Sequence, residues 1–135
     1  MARTILVIDD DPAQGLAASV FLRKYGFEIS VAQDAYSATS QASQLSPCLI
    51  LLDFEMPAGT GADVYKRLRM ISQTSNVPVI FISGRKPEEI SAMVGESRLT
   101  RFLGKPVDWT RVVDLIRELL PGSIPDAAAP DKPAV

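Results

Sequence analysis

Three short runs in this chain, Thr4-Ile5-Leu6-Val7-Ile8, Leu49-Ile50-Leu51-Leu52 and Val79-Ile80-Phe81-Ile82, are apolar or nearly so at every position. A strand with one face in water alternates apolar and polar residues, whereas a strand that is apolar throughout must have both faces covered. Between the runs lie segments with apolar residues at helical spacing. The chain therefore reads as five strand-then-helix units: TILVI before a helix over 12–25, EISVA before 35–45, CLILLD before 61–71, PVIFIS before 87–94, and RFL before 109–120. Parallel strands joined by crossover helices cover one another on both faces, so the expected fold is α/β, a doubly wound parallel sheet of five strands.

Local signals support the helices. Asp11 followed by Pro12 predicts an N-cap and first helical residue, and Gly26 after Tyr25 suits a left-handed cap. Leu16, Ala17, Val20 and Phe21 are expected to form the inner face of the first helix. Val64, Leu68 and Ile71 repeat the stripe in the third. Asp108 is placed to cap the last helix, whose inner face would be Val112, Leu115, Ile116 and Leu119. Trp109 is expected half-buried at its start, with partner binding as the alternative. From Pro121 the composition changes to PGSIPDAAAPDKPAV. The reading is one domain over 1–120 and a Pro/Ala-rich tail or linker over 121–135, disordered or extended.

The 135 residues suit one domain, and 47% hydrophobic with 22% charged residues is the balance of a globular chain. A net charge of -2 gives no electrostatic footprint for direct nucleic-acid or membrane binding. The opening MARTILVIDD does not read as a signal peptide, because its apolar stretch ends in carboxylates, and a cytoplasmic location is expected. The single Cys48 is read as a buried strand-start residue. With no histidine in the chain, Ser-His-Asp chemistry and histidine zinc sites are excluded. Carboxylates, hydroxyls and lysines must carry the chemistry.

Ligands of open α/β sheets bind outside the carboxyl ends of the strands. Strand one ends at Asp9-Asp10, strand three at Asp53 and strand four at Ser83, and Lys105-Pro106 follows strand five. In the flavodoxin-like order 2-1-3-4-5, strands one and three are neighbours, and Asp9, Asp10 and Asp53 converge with Ser83 and Lys105 beyond them. Three converging carboxylates raise one another's pKa unless a cation intervenes. A hard divalent ion, Mg²⁺ above all, fits oxygen donors without thiolate or imidazole.

The segments ILVIDDDP, LILLDFEMPAGTG, VIFISG and FLGKP, with Asp53, Ser83 and Lys105 at intervals of 30 and 22 residues, closely resemble the receiver domain of two-component response regulators, the CheY-like superfamily. The resemblance covers about Thr4 to Leu120. It implies a (βα)₅ fold, phosphorelay signalling, and phosphorylation of Asp53 by a sensor histidine kinase or a histidine phosphotransfer protein. Mg²⁺ would be held by Asp9, Asp10, Asp53 and the backbone carbonyl of Glu55. Lys105, across a cis bond to Pro106, would pair with the phosphoryl oxygens and Ser83 would hydrogen-bond one of them. Ser83 and Phe102 would form the switch, signalling through the surface of the fourth helix, fifth strand and fifth helix, where a homodimer is one further option. The protein would catalyse only its own phosphorylation and dephosphorylation.

The chain departs from the family's usual pattern in Gly59-Thr60, in Gly84 where alanine is usual, and in Phe102 where tyrosine is commoner. None of these removes a reactive group. Glu55 and Arg85, each two residues past Asp53 and Ser83, are expected to tune phosphoryl lifetime and to pair across the pocket mouth. Two other readings compete. One is a receiver that is not phosphorylated and serves as a docking or dimerisation module. The other is a haloacid-dehalogenase-like phosphatase with Asp9 as nucleophile and Asp11 as acid/base, although Asp11 before Pro12 reads more simply as a cap.

Overall fold

The computed structural model describes residues 3–56 and 59–124. Five parallel strands, β1 (Arg3–Ile8), β2 (Phe27–Ala32), β3 (Leu49–Asp53), β4 (Val79–Ser83) and β5 (Thr100–Gly104), form one sheet in the order β2-β1-β3-β4-β5. The helices are α1 (Pro12–Leu22), α2 (Ala35–Leu45), α3 (Gly61–Met70), α4 (Pro87–Val94) and α5 (Trp109–Leu119). A two-residue antiparallel ribbon, Glu55–Met56 against Gly59–Thr60, stands between β3 and α3.

The pleat divides the apolar strands between two cores. Ile5, Val7, Leu49, Leu51, Ile80 and Ile82 face one side, against Ala18 and Leu22 of α1 and Val112, Leu115 and Ile116 of α5. Their neighbours Leu6, Ile8, Ile50, Leu52, Val79 and Phe81 face the other, against Ala38, Ala42, Val64, Leu68 and Ile90 of α2 to α4. Strands without polar alternation are thus those with a helical layer on each face, as expected. No helix among the described residues is long and apolar enough to cross a membrane.

The caps form where the sequence places them: Asp11 accepts from the Ala13 N–H at 3.0 Å and Asp108 from the Thr110 N–H at 3.0 Å. Asp34 caps α2 in the same way, accepting from the Ser37 N–H. The first helix is shorter than predicted: the chain tightens into a 3₁₀ turn at Arg23–Tyr25 and ends on Gly26 at φ 90°. Trp109 is half-buried, its ring 6.4 Å from Phe21. Cys48 is partly covered by the core, and burial pushes its thiol pKa up.

One expectation is corrected. The inner face of α1 is Gly15, Ala18 and Leu22, with Phe21 packed against the same core as expected, while Leu16 and Val20 are 66% and 62% exposed. The cause is close approach: a Cβ on Gly15 would stand 2.9 Å from a Val31 methyl, so the helix lies on β2 through its small residues and turns its larger ones outward. Packing continues past residue 120. Ile124 is 3% exposed within the α1/α5 core, and the Arg3 guanidinium donates to the Ser123 carbonyl at 2.8 Å. One isoleucine among prolines and glycine gives no periodic signal, yet it packs. The rest of the predicted tail, 125–135, lies outside the described residues.

Truncating a buried isoleucine removes its burial energy and leaves a void. Ile124→Ala is expected to cost about 2–3 kcal/mol in urea unfolding, whereas Leu16→Ser and Val20→Ser should stay within about 0.5 kcal/mol.

Candidate functional site

The strand register builds the site. Ile8 stands beside Leu52, Asp53 beside Ile82, and Ser83 beside Gly104, so the residues leaving β1, β3, β4 and β5 emerge at one end of the sheet. Backbone pairing continues one residue further. The Asp9 N–H donates to the Ala32 carbonyl at 3.0 Å, Phe54 to Ile82 at 2.9 Å, and Lys105 to Ser83 at 2.9 Å. Each functional side chain therefore starts from a rigid strand end rather than from a free loop.

Asp9, Asp10 and Asp53 come together as the sequence predicts: each offers a carboxylate oxygen, and these oxygens lie within 4.8 Å of one another. Asp9 and Asp53 are buried, Asp10 exposed. The Lys105 ammonium reaches Asp53 Oδ1 at 3.0 Å, and the Glu55 N–H donates to the same oxygen at 3.1 Å. The Asp11 N–H donates to Asp9 Oδ1 at 2.9 Å. The bond from Lys105 to Pro106 is cis.

Ser83, the residue expected to hydrogen-bond a phosphoryl oxygen on Asp53, is 2% exposed and is engaged here by Glu55. Its hydroxyl donates to Glu55 Oε1 at 2.7 Å, the Gly84 N–H donates to the same oxygen at 2.6 Å, and Ser83 Oγ accepts from the Arg85 N–H at 2.9 Å. The expected direct pairing of Glu55 with Arg85 is absent among the described residues. Glu55 turns to the two donors at residues 83 and 84, and the Arg85 guanidinium lies 5.7 Å over the Phe54 ring. Sequence reasoning missed Gly84 as a donor, because a backbone N–H leaves no trace in residue type. A Cβ on Gly84 would meet Glu55 only at 3.6 Å, so glycine is not sterically required there.

Phe102 stacks on Phe81 at 5.5 Å with 10° between ring planes, and Phe54 and Tyr65 meet Phe81 edge-on at 6.2 and 5.0 Å. The residue following Asp53 and the residue expected to move thus touch the same ring. Gly61 serves this cluster through close approach. Its N–H donates to the Phe54 carbonyl at 2.9 Å, and a Cβ there would lie 2.7 Å from the Phe54 Cα.

The electrostatics follow from two buried carboxylates facing one ammonium. Burial, with the Asp53 and Asp10 charges, pushes the Asp9 carboxyl up to about 6, against the opposing effects of the Asp11 N–H and Lys105. Burial draws the Lys105 ammonium down, but its hydrogen bond to Asp53 and the charges of Asp53, Asp9 and Glu55 outweigh that and hold it above the ordinary lysine value. Hydrogen bonds from Ser83 and Gly84 hold the Glu55 carboxyl below the ordinary range. A donor set of three carboxylate oxygens, without sulfur or imidazole and with an excess of negative charge, fits a hard divalent cation such as Mg²⁺.

The model of the response regulator receiver domain matches residues 5–117. The chain belongs to that family. Receiver domains are signalling modules of phosphorelays rather than metabolic enzymes; they bind Mg²⁺ at an acidic site and interact with histidine kinases or phosphotransfer proteins. This receiver is 34% identical over 128 residues to the DNA-binding dual master transcriptional regulator RpaA of Synechocystis sp., covering 92% of this chain and 52% of that protein. It is 31% identical to Protein PilH of Pseudomonas aeruginosa, covering 90% of this chain and all of PilH. Its fold matches Vibrio cholerae chemotaxis protein CheY4 at a TM-score of 0.79 and 26% identity, over 89% of this chain and all of the other. The receiver thus spans about half the length of RpaA and of the Escherichia coli phosphate regulon regulator PhoB, and the full length of PilH.

Because the folded state holds the Asp9 proton more tightly than the unfolded chain does, stability without metal should fall as pH rises from about 4 through 6. Asp9→Asn keeps the oxygen that accepts from Asp11. At pH 7.5 without divalent ions it should raise the thermal midpoint by about 3–6 °C, with the gain shrinking below pH 5. Added Mg²⁺ should stabilise the wild type more than this variant.

Proposed function

We propose that Asp53 accepts a phosphoryl group from a phosphohistidine of a partner kinase or phosphotransfer protein, and that the acyl phosphate switches the surface of α4, β5 and α5. The observation that carries this reading is the convergence of Asp9, Asp10 and Asp53 with Lys105 3.0 Å from Asp53 Oδ1. Both donors on Asp53 engage Oδ1, so Oδ2 carries no hydrogen bond from the described residues and is the natural nucleophile. Its attack on phosphorus forms the P–O bond as the P–N bond to histidine breaks.

Asp9, Asp10, Asp53 and the Glu55 carbonyl would hold Mg²⁺, which when bound neutralises phosphoryl charge. Lys105 supplies a second positive charge on rigid backbone, and Ser83 a hydroxyl at the mouth. Positioning and charge neutralisation are what phosphoryl transfer chiefly requires. Phosphorylation adds about 1.5 to 2 negative charges and three acceptor oxygens at Asp53. Ser83 then turns toward the phosphoryl group and Phe102 leaves its stack on Phe81 to follow it.

A kinase must bring its histidine to the pocket mouth, where α1 starts. The exposed Leu16 and Val20 on α1 give that partner an apolar foothold. A homodimer through α4, β5 and α5 and a cytoplasmic setting belong to the same proposal, as does a receiver unit ending near residue 124. The phosphatase alternative finds no support, because Asp11, its acid/base, is spent as the cap of α1.

Incubation with acetyl phosphate and Mg²⁺ should add one labile phosphoryl mass to the intact protein. The adduct should be missing in Asp53→Asn and when Mg²⁺ is withheld. A folded, Mg²⁺-binding wild type that gains no mass would favour the docking-module reading.

A further inference from the structure

Ser83 carries one hydroxyl proton, and in this structure it is donated to Glu55 Oε1 at 2.7 Å. That oxygen also takes the Gly84 N–H at 2.6 Å, so a single carboxylate oxygen collects both donors at the carboxyl end of β4. The Ser83 oxygen is meanwhile occupied as acceptor by the Arg85 N–H at 2.9 Å. The hydroxyl has no second proton to offer a new acceptor. Glu55 sits two residues beyond Asp53, and its own N–H is tied to Asp53 Oδ1 at 3.1 Å, so latch and acceptor share one short turn.

We propose that the Glu55 carboxylate is an intramolecular latch that occupies Ser83 Oγ and Gly84 N–H in the resting receiver and that a phosphoryl group on Asp53 must displace. The inference rests on the phosphoacceptor reading and adds the regulation of the same site. A phosphoryl oxygen and Glu55 are both anionic acceptors and cannot both receive the Ser83 proton. The added negative charge at Asp53 also repels the carboxylate from the turn. Eviction frees Glu55 into solvent, where it is already exposed, while Ser83 and Gly84 pass to the phosphoryl group. The latch therefore lowers the affinity of the pocket for a phosphoryl group and holds the start of the β4–α4 connection in place until one arrives. Glu55 is here a positioning residue that acts through Ser83.

The test uses the intact chain and beryllofluoride, a tetrahedral phosphoryl analogue, at saturating Mg²⁺, titrated into wild type, Glu55→Gln, Ser83→Ala and the double variant. Glu55→Gln keeps the side chain's shape and sits on the surface, so it should fold. Loss of a charge-assisted hydrogen bond should tighten beryllofluoride about tenfold, and at least half of that gain should disappear in the Ser83→Ala background. Without beryllofluoride, the Gly84 amide proton should resonate well upfield in Glu55→Gln relative to wild type. Wild-type binding with an unchanged or weaker Glu55→Gln, or the same gain without Ser83, would overturn the latch and leave the acceptor standing. An unmoved Gly84 amide would overturn it as well. A folded, Mg²⁺-bound wild type that fails to bind beryllofluoride would overturn the acceptor reading itself, and the latch with it.

Discussion

The ion pair between Lys105 and Asp53 at 3.0 Å is the contact on which the working end of this molecule depends. Two carboxylates, Asp9 and Asp53, are almost wholly buried at adjacent strand ends, where burial and the neighbouring Asp53 charge penalise ionisation of Asp9. One ammonium offsets part of that penalty, and the rest appears as the raised Asp9 carboxyl. The sheet bears this locally unfavourable arrangement because its two apolar layers stabilise the fold elsewhere. A divalent cation or a change of charge at Asp53 therefore acts on a site already short of positive charge.

The same strand ends connect Asp53 to more distant side chains. Phe54 follows Asp53 directly and meets the ring of Phe81, on which Phe102 of β5 is stacked. Ser83 lies two residues beyond Phe81 on the same strand, and its hydroxyl belongs to Glu55 rather than to Asp53. Asp53 thus has two structured neighbours: an aromatic stack on the α2–α4 face of the sheet and a hydrogen-bonded turn at the carboxyl end of β4.

How much of this was legible in the sequence depends on whether residue type or backbone approach decides the feature. Continuous apolar runs require helices on both faces, so strand number, the doubly wound fold and the gathering of Asp9, Asp10 and Asp53 could be anticipated. The inner face of α1 could not be, because the hydrophobic pattern favoured Leu16 and Val20 while Gly15 and Ala18 permit the closer contact with Val31. Ile124 was hidden by its setting among turn residues. Glu55 and Arg85 look like an ion pair on charge alone, but backbone and hydroxyl donors nearer to Glu55 capture the carboxylate first.

The anchoring of Ile124 also fixes which end of the sheet the last described residues occupy. Ser123 is tied to Arg3 at the first residue of β1, whereas the carboxylates stand beyond its last. Six residues of strand at about 3.3 Å each put some 20 Å of packed sheet between the two. Ser123 and Ile124 therefore lie toward the pole opposite the pocket. Between Ile124 and the pocket stand α5 and the core it shares with β1, β3 and β4.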